Sequence, residues 1–340
     1  MPPPIPSSAR PGVLVTRAIF PEVVQRLSAH FDVESNCDDA DWSRDELLCR
    51  LQGKDGALTF GLERIDAELL AQAPRLRICA NMTVGYNNFD LSAMSAAGVL
   101  GTNAPDVLTE TTADFGFALL LATARRVTES EHFLRAGQWQ RWRYDMFAGA
   151  EVHGSTLGII GMGRIGQAIA RRAAYGFGMQ IVYHNRSRLD AAQEAECRAR
   201  YVGKDELLRM ADHVLLVVPY SQESHHTIGA PELALMKPTA TLINIARGGI
   251  VDDAALADAL RAGRIAGAGL DVFEGEPKVY PDLLTCSNVV LTPHIASATT
   301  ATRRAMAMLA VDNLIGYLVH GKAVTPLNAN TLAARTQHGE

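Results

Sequence analysis

Short runs of apolar residues alternate along the chain with segments in which apolar residues recur every three or four positions. The runs are typical of strands buried on both faces, and the periodic segments are typical of helices that cover a sheet. The N-terminal third contains predicted strands at 12–19, 56–60 and 76–80, a predicted helix that begins at Pro21 and another at 65–73. This alternation indicates an α/β fold with a parallel sheet.

A second series of the same kind begins at Ser155. Its apolar runs are TLGIIG, QIVYHN, HVLLVV, TLINIA, GAGLDV and NVVLTP. The last predicted helix, at about 300–319, has no strand after it, so it is free to pack back on the first domain. The length of 340 residues also favours two domains.

The segment 109–137 joins the two series and is apolar on nearly all sides. Its composition predicts one long helix that ends near Gly137, because glycine is typical of helix C-termini. Such a helix must be buried, either within the chain or against a second subunit. The tract QWQRWRYDMF, which contains Trp139 and Trp142, follows it.

Charge and cysteine content narrow the classes of function. The formal net charge is -5 and no run of lysine or arginine occurs, which argues against a nucleic-acid partner. Five scattered cysteines without a CxxC pair argue against a disulfide framework and against a zinc site, and they favour the cytoplasm.

Residues 1–12 lack the apolar core of a signal peptide and are expected to form a disordered or extended tail. No apolar run approaches the roughly 18 residues of a membrane span.

Gly161, Gly163 and Gly166 form the pattern G-x-G-x-x-G between an apolar strand and an amphipathic helix. In a dinucleotide-binding fold the first glycine permits a tight turn, and the second lets a pyrophosphate approach the backbone. The third lets the helix and the strand pack closely. The amides at the helix start then face the phosphates. A plain glycine turn is the alternative, but the flanking elements favour a nucleotide site.

The end of the next predicted strand distinguishes between two coenzymes. An NAD site usually carries an acidic residue about 20 residues after the glycines, where it binds the ribose hydroxyls. This sequence instead has Asn185, Arg186, Ser187 and Arg188, and the first carboxylate is Asp190. Guanidinium and hydroxyl groups suit the 2′-phosphate of NADP. The sequence therefore favours NADP, and NAD is the alternative if these are solvated loop charges.

Three later motifs follow predicted strands, and they contain Arg247, Asp271, Glu276 and His294. Because ligands of open parallel sheets bind at the carboxyl ends of strands, we expect these side chains to face one crevice. An arginine can hold the carboxylate of a 2-keto acid by two parallel hydrogen bonds. A histidine can protonate the carbonyl oxygen, and a carboxylate such as Glu276 would fix its tautomer and favour its charged form.

The sequence resembles the D-isomer-specific 2-hydroxyacid dehydrogenases. The resemblance covers nearly the whole chain after the tail, and it rests on NMTVGYNN, on INIARGGIVDDAALADALRAGRIAGAGLDVFEGEP and on LTPHIASAT. Within the family, NMTVGYNN, the NRS tripeptide at the strand end and HIASAT make the chain most similar to glyoxylate/hydroxypyruvate reductases and 2-ketogluconate reductases.

The resemblance implies two Rossmann-like domains, each with a doubly wound parallel sheet. The substrate domain would be discontinuous, at 13–103 and 297–330, and the dinucleotide-binding domain would be inserted at 104–296. The implied reaction is the NADPH-dependent reduction of a small 2-keto acid to the D-2-hydroxy acid. Glyoxylate, hydroxypyruvate and 2-ketogluconate are the implied substrates.

The resemblance also implies a role for each matching residue. Arg247 would bind the substrate carboxylate, and His294, paired with Glu276, would donate the proton. Further substrate contacts would come from Val84, Gly85 and Ser297. The coenzyme contacts would come from Gly161, Gly163, Arg164, Ile165, Gly166, Asn185, Arg186, Ser187, Arg188, Pro219, Ile245, Arg247, Asp271 and His294. Asp271 would lie near the nicotinamide carboxamide, and capping of a loop is its alternative role.

The family also implies a homodimer formed through the apolar segment 111–127. Trp139 or Trp142 would reach the active site of the partner, and core packing is the alternative for both tryptophans. Two other functions are open at this point. Some family members are NAD(H)-sensing corepressors that keep the fold and even the catalytic residues, and others are NAD-linked dehydrogenases of another small acid.

Overall fold

The computed structural model describes residues 10–330, and they form two compact units. Unit 1 comprises 10–108 and 299–330, and unit 2 comprises 109–298. The sequence placed these boundaries at 103–104 and 296–297. Of the tail expected at 1–12, residues 1–9 lie outside the described residues, whereas Gly12 already belongs to a strand.

Unit 1 is a five-stranded parallel sheet with helices on its faces. The strands are β1 (Gly12–Val15), β2 (Asp32–Ser35), β3 (Gly56–Thr59), β4 (Ile78–Asn81) and β5 (Leu100–Thr102). The helices are α1 (Pro21–Ser28), α2 (Arg44–Leu51), α3 (Ala67–Gln72), α4 (Leu91–Ala96) and α12 (Thr300–His320). The strand order is β2-β1-β3-β4-β5, and every described pairing in this sheet is parallel.

The long C-terminal helix α12 completes the core of unit 1. Its side chains Val311 and Leu314 are fully buried with Val13, Leu58 and Ile78 from three strands. The helix has no strand of its own, so it covers a sheet built from the N-terminal part of the chain. The discontinuity expected of this domain follows from that packing.

Unit 2 is a seven-stranded parallel sheet. Its strands are β6 (Thr156–Ile160), β7 (Gln180–His184), β8 (Ala199–Tyr201), β9 (His213–Leu216), β10 (Thr241–Asn244), β11 (Gly267–Leu270) and β12 (Val289–Leu291). Its helices are α5 (Thr109–Ala124), α6 (Val127–Arg135), α7 (Arg164–Arg171), α8 (Ala191–Cys197), α9 (Lys204–Met210), α10 (Ala230–Leu235) and α11 (Asp253–Arg261). The order β12-β11-β10-β9-β6-β7-β8 reverses direction at β6, so a topological switch point lies between β6 and β9.

The two parallel-sheet α/β domains predicted from the sequence are confirmed, but two polar edge strands were missed. Strand β2 has the sequence DVES and β8 has the sequence ARY, and neither contains a fully buried side chain. An edge strand needs little apolar character because only one side is paired within the sheet. The first strand is also shorter than expected, since it ends at Val15 rather than at residue 19.

The single helix predicted at 109–137 is wrong, because the segment forms two helices. The chain breaks at Arg126, whose φ of +52° lies in the left-handed region that ends regular α-helix. Helix α5 packs within unit 2, with Phe117 and Leu120 buried in the core beside β10 and β11. Helix α6 contains no buried residue. No helix in residues 10–330 combines the length and apolarity that crossing a bilayer requires.

Candidate active site

The glycine loop lies at the switch point of the unit 2 sheet, directly after β6. Gly161 has φ +103°, and a Cβ there would stand 2.6 Å from the carbonyl oxygen of Val217. A Cβ at Gly166 would stand 2.2 Å from the oxygen of Gly161. The first and third glycines are therefore required by a tight turn and by close packing of the helix on the loop.

Helix α7 begins at this loop with its amides open to a ligand. Gly163 occupies the N-cap position without a side-chain cap, and nothing lies within 4 Å of the place where its Cβ would be. Arg164 and Ile165 are the first residues of the helix. Uncapped amides and the helix dipole favour an anion such as a pyrophosphate. The residues present thus fit the dinucleotide expected from the sequence.

Asn185, at the end of β7, holds the glycine loop in place. Its side-chain oxygen accepts a hydrogen bond of 2.6 Å from the backbone N–H of Met162, and its carbonyl oxygen accepts one of 3.2 Å from the hydroxyl of Tyr201. The sequence analysis assigned Asn185 to the 2′-phosphate, but its side chain instead hydrogen-bonds to the glycine loop and holds it in place.

Arg188, predicted to bind the 2′-phosphate of NADP, is already paired. Its guanidinium donates two hydrogen bonds of 2.8 Å to Glu194, and the hydroxyl of Tyr183 donates a third of 2.7 Å to the same carboxylate. The bonds from Arg188 and Tyr183 lower the pKa of Glu194 to about 2. Arg186 and Ser187 are exposed, as Arg188 is.

His294 and Glu276 form the pair predicted as the acid catalyst. His294 Nδ1 lies 2.8 Å from Glu276 Oε2, while Oε1 accepts a bond of 2.9 Å from the amide of Phe273. Burial acts to raise the pKa of Glu276, but the hydrogen bond and charge of His294 outweigh it, so the pKa lies below its ordinary value. Because Nδ1 faces the carboxylate, Nε2 is the ring nitrogen that remains for a substrate.

Arg247 follows β10, the strand next to the one that precedes Glu276. It is half-buried, and its Nη1 donates a bond of 2.7 Å to the carbonyl oxygen of Ala246. Burial lowers the pKa of Arg247, and the charge of Glu276 opposes that shift. The three residues thus come from the ends of the adjacent strands β10, β11 and β12 and are electrostatically coupled.

Asp271 is completely buried at the end of β11 and organises the loop that carries His294. Its carboxylate accepts bonds of 2.7 Å from the hydroxyl of Thr292 and of 2.8 and 2.9 Å from the amides of Ile295 and Ala296. Burial raises its pKa, although these bonds act in the opposite direction. The described contacts correspond to the loop-capping alternative, and contact with the nicotinamide stays a prediction.

Pro219, Ile245 and Ser297, which were also predicted to contact coenzyme or substrate, differ in their exposure. Pro219 is exposed after β9. Ile245 is buried, and its Cδ1 would lie 2.7 Å from a Cβ at Gly116 of α5, so only its backbone is available to a coenzyme. Ser297 is half-buried in unit 2, although the sequence placed it in the substrate domain.

Val84 and Gly85 lie in unit 1, in the loop after β4. The carbonyl oxygen of Val84 accepts a bond of 2.8 Å from the side-chain amide of Asn103. The carbonyl oxygen of Gly85 accepts bonds of 2.9 Å from Asn81 and 2.7 Å from Thr83. These hydrogen bonds from Asn81, Thr83 and Asn103 hold the loop after β4 in place.

Sequence reasoning missed the residues that support the site. Asn244, 1% exposed, caps the Arg247 loop by accepting a bond of 3.0 Å from the amide of Ala246. Thr292 fixes Asp271, and Glu194 fixes Arg188. A polar residue that ends an apolar strand, as in TLIN, is the one signal that could have indicated Asn244.

Comparison with known proteins adds an independent observation. The family model "D-isomer specific 2-hydroxyacid dehydrogenase, NAD binding domain" matches residues 117–296, which is more than half of the chain. A glyoxylate reductase of Thermococcus onnurineus is 49% identical over 330 residues, which cover 96% of this chain and 98% of that protein.

Solved structures of the same architecture are also similar. A D-isomer-specific 2-hydroxyacid dehydrogenase from a Polaromonas species, described as putative by its authors, superposes with a TM-score of 0.87 at 34% identity, covering 94% of this chain and 99% of that one. An NADPH-dependent glyoxylate/hydroxypyruvate reductase from Sinorhizobium meliloti, in complex with NADP and malonate, has a TM-score of 0.82 at 38% identity. That alignment covers 95% of this chain and 98% of the other.

Proposed function

Since the chain belongs to the D-isomer-specific 2-hydroxyacid dehydrogenase family, we propose that it reduces a small 2-keto acid to the D-2-hydroxy acid with NADPH. The observation that carries the proposal is the 2.8 Å contact between His294 Nδ1 and Glu276 Oε2. The charge of Arg247, which follows the adjacent strand β10, also acts on Glu276. A carboxylate anchor beside a supported acid is what the reduction of a 2-keto acid requires.

Glyoxylate is the substrate that the comparisons favour. Glyoxylate reductases of two Thermococcus species are 49% and 50% identical to this chain, and a reductase of glyoxylate and hydroxypyruvate is similar in structure. We propose glyoxylate first and hydroxypyruvate second. 2-Ketogluconate, which is longer and carries more hydroxyl groups, is proposed on sequence resemblance alone.

A reduced nicotinamide coenzyme, when bound, supplies the hydride for the carbonyl carbon. The amides of Gly163, Arg164 and Ile165 would hold its pyrophosphate at the start of α7. Arg247 holds the substrate carboxylate and so orients the keto group. Protonated His294 donates a hydrogen bond from Nε2 to the carbonyl oxygen and transfers its proton there as the alcohol forms. Glu276 keeps the imidazole oriented and favours its charged form.

A panel of 2-keto acids assayed with both coenzymes tests this function. We expect consumption of NADPH with glyoxylate and hydroxypyruvate, and a lower kcat/KM with NADH. Failure to oxidise either coenzyme with every acid in the panel, while the coenzymes still bind, would contradict the proposal and would favour a nucleotide-sensing role. The cytoplasmic location expected from the sequence stays a prediction.

The proposed preference for NADPH rests mainly on Arg186 and Ser187. Both are exposed at the end of β7, whereas the two hydrogen bonds from Arg188 to Glu194 occupy its guanidinium. Arg188 would have to give up or share these bonds in order to contact a phosphate. Arg186 is therefore expected to contribute more than Arg188 to the binding of the 2′-phosphate.

Replacing each arginine with alanine separates these contributions. We expect Arg186→Ala to lower kcat/KM for NADPH by about 10- to 100-fold, since a hydrogen bond to a charged group contributes about 1.5–3 kcal/mol. Arg188→Ala is the matched control and should lower kcat/KM for NADPH less than Arg186→Ala does. NADH kinetics should change little in both variants. If Arg186→Ala lowered kcat/KM equally with NADPH and NADH, Arg186 would not bind the 2′-phosphate.

We also propose that the chain forms a homodimer. Five apolar side chains of the segment 111–127 are buried within unit 2 and three more are partly buried against its core, so the surface offered to a partner would include α6 and the tract after it. Leu134 is 56% exposed, and Trp139 and Trp142 are 54% and 72% exposed. Core packing of the two tryptophans is therefore wrong, and contact with a partner stays their proposed role. Sedimentation velocity of the full chain measures the oligomeric state.

A further inference from the structure

His225, His226 and Glu274 form a cluster of potential metal ligands in the loops that follow β9 and β11. Each residue offers one ligand atom, and these atoms all lie within 4.8 Å of one another. The cluster contains none of the residues assigned above to substrate or coenzyme. Cysteine spacing led the sequence analysis to expect no zinc site, and this cluster contains no cysteine.

The distances within the cluster suit a small divalent ion. His226 Nε2 lies 3.0 Å from Glu274 Oε2, and the ring of His225 stacks on that of His226 with centroids 3.8 Å apart. Nitrogen and oxygen ligands lie about 2.0–2.2 Å from zinc, so two ligands of a tetrahedral ion stand about 3.3 Å apart. The pair is thus already near that separation, whereas the stacked ring of His225 has to rotate before one of its nitrogens faces the same ion.

A hydroxyl group stands beside one imidazole of the cluster. The hydroxyl of Tyr220 lies 3.2 Å from His225 Nδ1, whereas Asp252 Oδ2 lies 3.9 Å from His226 Nδ1, beyond hydrogen-bonding distance. Histidines that bind metals usually donate the proton on one ring nitrogen to an oxygen, which leaves the lone pair of the other nitrogen for the ion. Tyr220 provides such an oxygen for His225, and Asp252 would have to move closer to provide one for His226.

The local charge and the exposure also favour a cation. Glu274 and Asp252 flank His226, and the carboxylate of Asp253 accepts a bond of 3.1 Å from the amide of Glu274. Three carboxylates therefore surround two imidazoles. The side chains of His226 and Glu274 are 36% and 48% exposed, so an ion can enter from solvent.

We propose that His225, His226 and Glu274 bind a divalent transition-metal ion, with Zn²⁺ as the preferred ion and water as the fourth ligand. Two imidazoles and one carboxylate with an open position are a donor set that zinc accepts in proteins. The ion would connect the loops after β9 and β11.

A bound ion would also restrain the loops that carry Arg247 and Glu276. The amide of His226 donates a bond of 2.7 Å to the oxygen of Gly249, two residues after Arg247. Glu274 stands two residues before Glu276. Metal binding should therefore stabilise this part of unit 2, independently of whether a substrate is present.

Titration of the full chain with Zn²⁺, after removal of metal by a chelator, tests the site. We expect one equivalent to bind by calorimetry and Tm to rise by about 5 °C at a hundredfold excess over Kd. His225→Gln and Glu274→Gln should each lower the affinity at least about tenfold. Circular dichroism and the Tm of the metal-free variants report whether they fold.

His132→Gln is the matched control, because the side chain of His132 is 81% exposed on α6 and lies outside the cluster. It should bind Zn²⁺ as the parent does. Co²⁺ should give visible absorption of a nitrogen- and oxygen-bound ion. Absence of binding by the parent, equal affinity of the parent and the cluster variants, or a thiolate charge-transfer band with Co²⁺ would each overturn the proposal.

Discussion

Replacing His294 with alanine should lower kcat for glyoxylate about 10²- to 10⁴-fold, because a positioned general acid contributes about that factor. The variant loses the only proton donor proposed for the carbonyl oxygen. The glycine loop and α7, which are proposed to hold the pyrophosphate, follow β6, whereas His294 follows the edge strand β12. The Kd of NADPH, measured by fluorescence titration, should therefore stay within about threefold of the parent value.

His30→Ala is the control for this loss. It removes an exposed imidazole that follows α1 in unit 1, and it should leave both kcat and coenzyme binding unchanged. A His294→Ala variant that keeps more than about a tenth of the parent kcat would contradict the assigned role, since general acid catalysis is expected to contribute at least about 10²-fold. Loss of NADPH binding together with activity would instead indicate a structural role for His294.

Glu276→Gln separates orientation from charge within the same pair. Glutamine keeps an oxygen for Nδ1 of His294 but removes the negative charge beside the ring. At neutral pH kcat for glyoxylate should then fall less than in His294→Ala, because the ring keeps its orientation and loses only the attraction of the carboxylate. The pKa of Glu276 itself lies below its ordinary value, so the parent pair keeps its carboxylate charged throughout the neutral range.

The sequence predicted where the proposed catalytic residues lie because each of them follows a recognised strand. Parallel strands end at one edge of the sheet, so Arg247, Glu276 and His294 were expected at that edge. The strand order β12-β11-β10 makes their loops neighbours. The glycine pattern was predictable for a similar reason, since Gly161 and Gly166 lie directly after β6, where an added Cβ would meet backbone atoms.

Individual contacts between side chains were not predictable in this way. Arg188 pairs with Glu194, six residues further along the chain on α8, and His226 pairs with Glu274, 48 residues away. The break at Arg126 also escaped prediction, because no glycine or proline occurs there and the left-handed backbone is adopted by an arginine. In each case packing, rather than local propensity, decides the outcome.

Replacing Arg247 with glutamine should lower kcat/KM for glyoxylate about 10²- to 10⁴-fold. Two parallel bonds from a guanidinium to a carboxylate contribute about 1.5–3 kcal/mol each, and every 1.4 kcal/mol corresponds to a factor of ten. If the carboxylate is held equally in the ground and transition states, the loss should appear mainly in KM. Arg247→Lys keeps a charge without the planar fork and should recover only part of the activity.

The neutral amide of glyoxylate distinguishes carboxylate binding from general damage to the site. The parent should prefer glyoxylate to this amide, because only the acid offers two charged oxygens to Arg247. In Arg247→Gln the preference should largely disappear, since the variant loses the group that reads the charge while the His294–Glu276 pair stays in place. A variant that still prefers the acid by the parent factor would place the carboxylate elsewhere. Because Arg247 also lowers the pKa of Glu276, the comparison should be made at neutral pH, where that carboxylate stays charged in both proteins.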